Sequence, residues 1–372
     1  MNQTTSIEDH RVEGIQWKQL WSLAALYGSI VIGWIAYHNY QPKLLEKFNF
    51  TDFSFSLTLV QALILVITPP IAGKIGDRFR FKHGHRLPII TSGMSFAAMV
   101  FMSVAFTLLG NPGDFFKWLL PILIVLWLVS MSIFTSPALS TLELFTPVEK
   151  LPTAMAVITI VGNLIYALEP VVVDIIDYLG APLTFIAGGI IVFLSGYALK
   201  QNSLSLFTRG DGTKAPVKKT DTPSNYAFIF VMGVGMGIAT TLLFQLLPDL
   251  LESKLNWLVP VEGKWMIVMI MVIAAAFSIP AGNMASKYGL SQVLQYSMLL
   301  ILISSAGIFY INSGPVTAVL AIVFALAYTT LSVSSLPLAI TKASYFEKVF
   351  CVGIFFSGTE LPVGLLEIVT SL

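Results

Sequence analysis

The chain has 372 residues, of which 56% are hydrophobic and only 11% are charged, with a formal net charge of +1. Soluble domains carry about 25% charged residues, so this composition, with repeated apolar runs of about 20 residues, predicts a polytopic membrane protein. The near-neutral charge excludes the electrostatic footprint of a nucleic-acid-binding protein, and the single cysteine, Cys351, excludes an intramolecular disulfide and a cysteine metal cluster.

Two apolar halves are separated by one polar linker. Residues 1–16 are polar and predict a cytoplasmic N-terminal segment. The first half, 17–199, holds six predicted spans at 17–37, 54–73, 87–109, 117–142, 152–173 and 181–199. The linker, 200–224, is rich in Lys, Gly, Pro, Ser and Thr. The second half, 225–372, holds five predicted spans at 225–247, 264–284, 291–311, 315–340 and 348–370.

The distribution of basic residues predicts the orientation of these spans. With the N-terminus in the cytoplasm, 16 of the 21 Lys and Arg residues fall in inner segments and 5 fall in outer segments. This bias follows the positive-inside rule, so it predicts a cytoplasmic N-terminus. The expected location is the inner (plasma) membrane of the cell. Eleven spans then place the C-terminus outside.

The most charged segment is a hairpin at 73–88, between the second and third predicted spans. It combines Gly73, the Asp77-Arg78 pair, Gly84 and Arg86, and it holds 5 of the 16 inner cations. Its charge predicts a role in topology. Asp77 lies at a helix end and can pair with Arg78, with Arg80 or with the N-terminus of a neighbouring helix.

The second half repeats features of the first. A proline, a glycine and a polar-basic pair follow each other at the inner end of the second span of both halves, at 70–78 and 280–289. Spans 5 and 11 both open with Glu-Lys and carry another glutamate, Glu169 and Glu367, twenty residues later. Two such halves joined by an inner linker are typical of parallel repeats about an axis along the membrane normal.

Gly73-x-x-x-Asp77-Arg78 resembles the signature loop of the major facilitator superfamily, and the resemblance covers nearly the whole chain. The continuation through Lys82, Gly84, Arg86 and Pro88 resembles the sucrose–proton symporters and the glycoside–pentoside–hexuronide branch. Gly33-Trp34 and residues 353–362 are also similar to that branch. The chain departs from it where the arginine run is reduced to 85–87 and where a twelfth span is missing.

This resemblance implies an all-α major facilitator fold with two six-helix-type halves, of which about eleven spans are present. It also implies that the hairpin latches the two halves together, with Gly73 allowing span 2 to pack closely against span 11. The latch residues are therefore Gly73, Asp77, Arg78, Gly84 and Arg86.

Carboxylates inside the membrane are costly and are usually functional or paired. Glu360 lies about 16 Å along span 11, near the midplane of a ~30 Å core. Glu169 lies about 24 Å along span 5, in the outer half, whereas Glu367 and Asp249 fall near the outer surface. Glu360 is thus the first candidate for proton coupling and Glu169 the second. The alternative is a neutral, hydrogen-bonded structural carboxyl in each case.

Neutral polar side chains and aromatic rings occur at mid-span, whereas no Lys or Arg is placed there. They predict a cavity for an uncharged, polyhydroxylated solute, with the cavity candidates Trp34, Gln61, Asn163, Tyr166, Gln245 and Tyr328. Ser and Thr also recur at mid-span, and their hydroxyls have a structural alternative, because in a membrane helix they can bond their own backbone.

The sequence carries no phosphate loop, nucleophile elbow or metal cluster, so it predicts a non-enzyme without a cofactor. The first hypothesis is a secondary transporter that moves a small neutral solute, a sugar or glycoside according to the resemblance, by proton-coupled symport. The second is a transporter-derived membrane subunit that carries no solute and has a protein partner. The expected partners are otherwise the lipid bilayer and the solute, and not a nucleic acid.

Overall fold

The computed structural model describes residues 13–47, 54–110, 113, 115–207, 223–256 and 262–370. This part of the chain is all helical and contains eleven helical segments long and apolar enough to cross a membrane, as the sequence predicts. Helices are expected here because a lipid environment offers no partners for backbone N–H and C=O groups. The helices are α1 Trp17–Lys47, α2 Ser54–His83, α3 Leu87–Leu109, α4 Phe115–Ser140, α5 Leu142–Phe145, α6 Leu151–Ala167, α7 Glu169–Leu206, α8 Tyr226–Thr241, α9 Leu247–Leu255, α10 Gly263–Tyr288, α11 Leu290–Tyr310, α12 Gly314–Lys342 and α13 Lys348–Thr370.

Several boundaries differ from the sequence-based expectation. Helix α2 does not end near residue 73 but continues to His83, through Pro69 and Pro70. The predicted hairpin is therefore mostly helix, and only residues 84–86 form the turn into α3, with Gly84 at φ +85°. Helix α7 likewise continues to Leu206, seven residues into the predicted linker, whose residues 208–222 lie outside the described part of the chain.

The fifth and sixth spans meet at a glycine turn. Helix α6 ends at Ala167, and Leu168 interrupts the helical run before α7 begins at Glu169. Within α7, Gly180 has φ 74° and ψ 164°, which divides it into the arms 169–179 and 181–206. Only glycine adopts that φ without strain, so Gly180 makes the reversal. Glu169 therefore begins a new helix and does not lie within a continuous span 5.

The two halves contact each other mainly through two helix pairs. Helix α2 packs on α13, and α6 packs on α10. The first pair is very close: a Cβ on Gly73 would lie 2.5 Å from the Val349 carbonyl oxygen, and one on Gly353 would overlap the Pro69 carbonyl oxygen. Small residues let membrane helices approach in this way. We call the end of the bundle that holds the 84–86 turn and the start of α13 the basic end.

A substitution at Gly73 is expected to separate α2 from α13. In Gly73→Val the new side chain would occupy the position of the Val349 backbone. Cys351 lies two residues after Val349 in α13 and is fully buried, and it reports on this contact because it is the single cysteine of the chain. We expect its alkylation by a maleimide to be at least about tenfold faster in Gly73→Val, as for a locally opened structure.

The matched control is Gly110→Val, since a Cβ at Gly110 would meet its nearest neighbour only at 3.5 Å. This variant should label at the wild-type rate. Equal labelling of Gly73→Val and wild type would contradict a tight α2–α13 contact.

Candidate functional site

Three adjoining cavities surround Glu360, between the two halves. Their volumes are about 160, 190 and 450 Å³, and all three are lined by both Tyr166 and Glu360. We call them together the central cavity. Glu360 projects into it from α13, and Tyr166 projects from α6 in the other half. At the depth inferred from the sequence, the Glu360 side chain therefore faces an interior cavity and not a helix–helix contact.

A larger cavity of about 800 Å³ lies at the end of the bundle opposite the basic end. We call it the vestibule. It shares Tyr166, Thr240 and Glu367 with the largest part of the central cavity, so the two are continuous along these side chains. Glu169, at the start of α7, lines the vestibule and not the central cavity. The structure therefore separates the two predicted proton-coupling candidates into different compartments.

Five of the six predicted cavity residues surround Glu360. Trp34 and Gln61 line the 450 Å³ part, Asn163 and Tyr328 line the 190 Å³ part, and Tyr166 is common to all parts. The sixth, Gln245, lies in the vestibule. These residues come from α1, α2, α6 and α12, so only the tertiary structure brings them together.

An aromatic cluster supports one side of the central cavity. The ring of Trp34 lies 5.1 Å from that of Trp127 and 5.6 Å from that of Tyr37, both in edge-to-face geometry, and it stacks on His38 at 5.8 Å. Tyr37 in turn stacks on Trp127 at 4.6 Å with an interplanar angle of 10°. Such packing fixes Trp34 in one orientation.

Most mid-span Ser and Thr hydroxyls bond to the backbone of their own helix, which is the structural alternative to a role in solute binding. Thr135 donates to the Met131 carbonyl at 2.6 Å and Ser332 to the Tyr328 carbonyl at 2.9 Å. The same pattern holds for Ser29, Ser130, Ser140, Thr240, Thr329 and Ser334. These groups are already satisfied within the protein.

Two buried amides are different. The Gln61 Nε2 and Asn163 Nδ2 atoms find no hydrogen-bond partner in the described part of the chain, although the two residues are only 4% and 6% exposed. A buried donor without a partner costs about 1–3 kcal/mol. Both residues line the central cavity, so a solute with acceptor oxygens could satisfy them.

Replacing Gln61 tests this assignment. Gln61→Leu keeps the side-chain size and removes the unsatisfied amide, so we expect the melting temperature of the ligand-free protein to stay the same or rise. Solute affinity should fall about tenfold, because one hydrogen bond of roughly 1.4 kcal/mol is lost. Differential scanning fluorimetry and a binding isotherm measure the two quantities. A lower melting temperature with unchanged affinity would indicate a structural role for the amide.

The basic end holds a separate polar cluster. Asp77 accepts hydrogen bonds from the backbone N–H groups of Val349 at 3.2 Å and Phe350 at 2.8 Å, in the first turn of α13. The sequence left Arg78, Arg80 and a helix N-terminus as possible partners of Asp77, and the structure shows hydrogen bonds to the helix N-terminus. The backbone N–H groups there have no partner within the helix, and the helix dipole favours an anion. Because α2 and α13 belong to different halves, these bonds join the halves.

Arg78 and Arg86 of the predicted latch have different surroundings. Arg86 is fully buried and donates to Ser140 Oγ at 2.7 Å and to Glu143 Oε1 at 2.9 Å. Arg78 is exposed and makes no hydrogen bond or ion pair with the described residues. Arg80 takes the buried position instead, with its Nη1 donating to the Tyr345 carbonyl at 3.1 Å and its guanidinium 4.6 Å from the Tyr345 ring.

Glu143 is the centre of this cluster, and sequence reasoning missed it. Its carboxylate lies 2.9 Å from Arg86 Nη2, 3.0 Å from Lys348 Nζ and 3.7 Å from Arg80 Nη1. Arg80 and Arg86 belong to the first half and Lys348 to the second. The sequence signal was a lone glutamate near the inner end of span 4, which by itself does not identify its partners.

Glu367 is a cavity residue that the sequence does not predict. Counting along the span predicts a position near the outer surface, and in the structure its side chain lines both the vestibule and the central cavity. It stands seven residues after Glu360 on α13, about 10 Å along the helix axis and on the same face. No group of His, Cys, Asp and Glu side chains in the described ranges has the geometry to hold a metal ion.

The fold is similar to that of solved transporters. The human organic anion transporter MFSD10 (TETRAN) superposes with a TM-score of 0.71 at 13% identity, over 96% of this chain and 93% of that one. The proton:xylose symporter XylE, bound to 6-bromo-6-deoxy-D-glucose, superposes with a TM-score of 0.60 at 11% identity, over 93% of this chain and 87% of that one. No curated protein sequence matches the chain.

A family model places the chain directly. The model of the Major Facilitator Superfamily matches residues 15–361, which is nearly the whole sequence and includes both halves, the central cavity around Glu360 and the basic end. Together with the all-helical structure and its eleven candidate spans, this identifies a multi-pass membrane transporter and not an enzyme. The chain belongs to the Major Facilitator Superfamily.

Proposed function

We propose that this protein is a secondary active transporter that moves a small polar solute, with a sugar or glycoside as the first candidate, in symport with protons. The observation that carries the proposal is the position of Glu360. It faces a cavity between the halves, and no hydrogen bond or ion pair to another described residue neutralises it. A buried carboxylate without a counter-charge is costly, so a proton is its natural partner.

The alternating-access cycle follows from the two ends of the molecule. Contacts between the halves close the basic end, at α2–α13 and at α6–α10, whereas the vestibule leads to the central cavity from the opposite end. With the basic end in the cytoplasm, this is an outward-facing arrangement. Rocking of the halves would open the basic end and expose Glu360 to the other side.

We propose that the basic end acts as a latch in this cycle. The bonds from α13 to Asp77 and the bridge from Glu143 to Lys348 join the two halves, so they can exist only while that end is closed. Gly73 allows the close approach, and Gly84 with Arg86 positions the start of α3. Arg78 would act through its exposed charge, at the membrane surface.

The charges of the central cavity favour a non-anionic solute. The described residues that line it include glutamates and a histidine but neither Lys nor Arg. An anionic cargo, such as an organic anion, would meet only like charge there. Aromatic rings and unsatisfied amides suit hydroxyl-bearing solutes, because rings pack on sugar faces and amides bind hydroxyl oxygens. The fold match to a proton:xylose symporter is consistent with this solute class.

Uptake by the purified protein in liposomes tests the proposal. An inward proton gradient should concentrate a labelled sugar or disaccharide above its external level, and an ionophore that collapses the gradient should return it to equilibrium. Absence of gradient-dependent uptake across a panel of hexoses and disaccharides, with co-purification of a stoichiometric protein, would instead favour the alternative of a membrane subunit that carries no solute.

A further inference from the structure

The cavities contain far more negative than positive charge. The vestibule and the central cavity are lined by the carboxylates Glu169, Asp174, Asp249, Glu252, Glu262, Glu360 and Glu367. The single Lys or Arg among their described lining residues is Lys264, which already pairs with Glu262. A cleft lined by one sign of charge raises the local concentration of the opposite ion. This cleft therefore attracts cations.

The two carboxylates that face the 450 Å³ part of the central cavity are both uncompensated. Neither the Glu360 nor the Glu367 side chain forms a hydrogen bond or ion pair within the described ranges. Two other carboxylates do have partners: Glu143 contacts three cations, and Glu252 accepts a hydrogen bond from the Gly263 N–H at 2.6 Å. Two like charges sharing one cavity repel each other, so a positive charge beside either one is favourable.

The proposed transport cycle provides one such cation, the proton on Glu360. Glu367 remains available to a second cation, and its surroundings indicate the chemistry of that cation. The rings of Trp34 and Tyr37 line the same cavity, and aromatic faces attract organic cations. Gln61, more than nine-tenths buried and with an unpartnered Nε2, lines it too and can donate to a hydroxyl oxygen.

We propose that the solute is an organic cation, a hydroxyl-bearing amine of the amino-sugar or aminocyclitol class, and that Glu367 binds its ammonium group. This inference rests on the proposed transport through the central cavity and narrows its substrate from sugars in general to amino sugars. The loaded state then contains one proton on Glu360 and one ammonium on Glu367, which leaves the cavity electrically balanced. The acidic vestibule draws the same cation towards the cavity.

Three sugars that differ at one position provide the test. Glucosamine, glucose and N-acetylglucosamine share the ring and most hydroxyls, but only glucosamine carries a positive charge. In liposomes containing the full chain, we expect gradient-driven uptake of glucosamine at concentrations about tenfold lower than those needed for the two neutral sugars, which corresponds to roughly 1.4 kcal/mol. Equal or better uptake of glucose or N-acetylglucosamine would overturn the inference.

Variants of Glu367 assign the charge recognition to one side chain. Glu367→Gln should lose the preference for glucosamine while still transporting glucose, which also shows that the variant is folded. Glu367→Asp keeps the charge and should retain most of the preference. The control is Glu149→Gln, because Glu149 is an exposed carboxylate outside the cavities, and it should behave as wild type. An unchanged preference in Glu367→Gln would overturn the proposal.

The same measurements separate this inference from the proposed function. Proton-driven glucose uptake without any preference for glucosamine would leave proton-coupled sugar transport standing and remove the amine. A preference for glucosamine that persists without dependence on the proton gradient would keep the amine and remove the coupling. Absence of uptake of all three sugars would count against both.

Discussion

Glu360→Gln is expected to abolish proton-driven accumulation of the solute. Glutamine retains the size and polarity of the side chain but cannot take up a proton between the pH values of the two compartments. The proton gradient then cannot drive the solute, and the internal solute concentration should only equal the external one. The ratio of internal to external solute should therefore be at least about tenfold lower than in a wild-type symporter. Time courses of labelled solute in liposomes, with and without an imposed pH gradient, measure this ratio.

Solute exchange distinguishes loss of coupling from loss of the protein. Liposomes preloaded with unlabelled solute should still exchange it for labelled solute in Glu360→Gln, because the neutral amide imitates the protonated carboxyl. Glu149→Gln provides the control, since Glu149 is an exposed carboxylate outside the cavities. Undiminished accumulation in Glu360→Gln would remove Glu360 from the coupling mechanism and leave Glu169 as the remaining candidate of the original pair.

Glu143→Ala is expected to be the most destabilising single substitution at the basic end. Removal of this carboxylate deprives Arg80, Arg86 and Lys348 of the anion that they share, and Arg86 is fully buried. Breaking a buried ion pair from one side costs about 3–5 kcal/mol. The melting temperature in detergent should therefore fall by roughly 10 °C, using about 2–4 °C per kcal/mol.

Two further variants make the Glu143 experiment specific. Glu149→Ala removes an exposed carboxylate from the adjoining turn and should shift the melting temperature by less than about 1 °C. The double variant Glu143→Ala, Lys348→Ala removes one unpaired cation as well and should recover part of the loss. A melting temperature within about 2 °C of wild type in Glu143→Ala would show that the bridges contribute little to stability.

The position of Glu360 along its helix could be predicted from the sequence. Its depth follows from the helical rise and the span boundary, and the structure does place it beside the cavity between the halves. Glu367 shows the limit of the same method. Its position near the end of α13 follows from the count along the span, but the count does not show that the vestibule reaches this residue. Depth along one helix says nothing about the surfaces that neighbouring helices leave open.

The amides and the arginines show a second limit. Gln61 and Asn163 are polar at mid-span and both line the central cavity, whereas most mid-span hydroxyls bond their own helix. Sequence alone does not distinguish these outcomes, because Ser, Thr and Asn can all bond their own backbone and only the folded structure shows which of them do. Arg78 and Arg80 differ by only two positions, yet one is exposed and the other is buried beside Tyr345.

The sequence by itself determined the class of this protein: its span count, its two-half organisation and, through residues 73–88, its superfamily. These features depend on local composition and on spacing within single helices, which the chain carries explicitly. Only the tertiary structure decided which charges meet, because Asp77 with α13, Glu143 with Lys348, and Glu367 with the cavity of Glu360 depend on contacts between distant segments. Residues 73–83 illustrate both kinds of information. Their spacing in the sequence indicates the family, whereas their helical form and their packing against α13 are seen only in the structure.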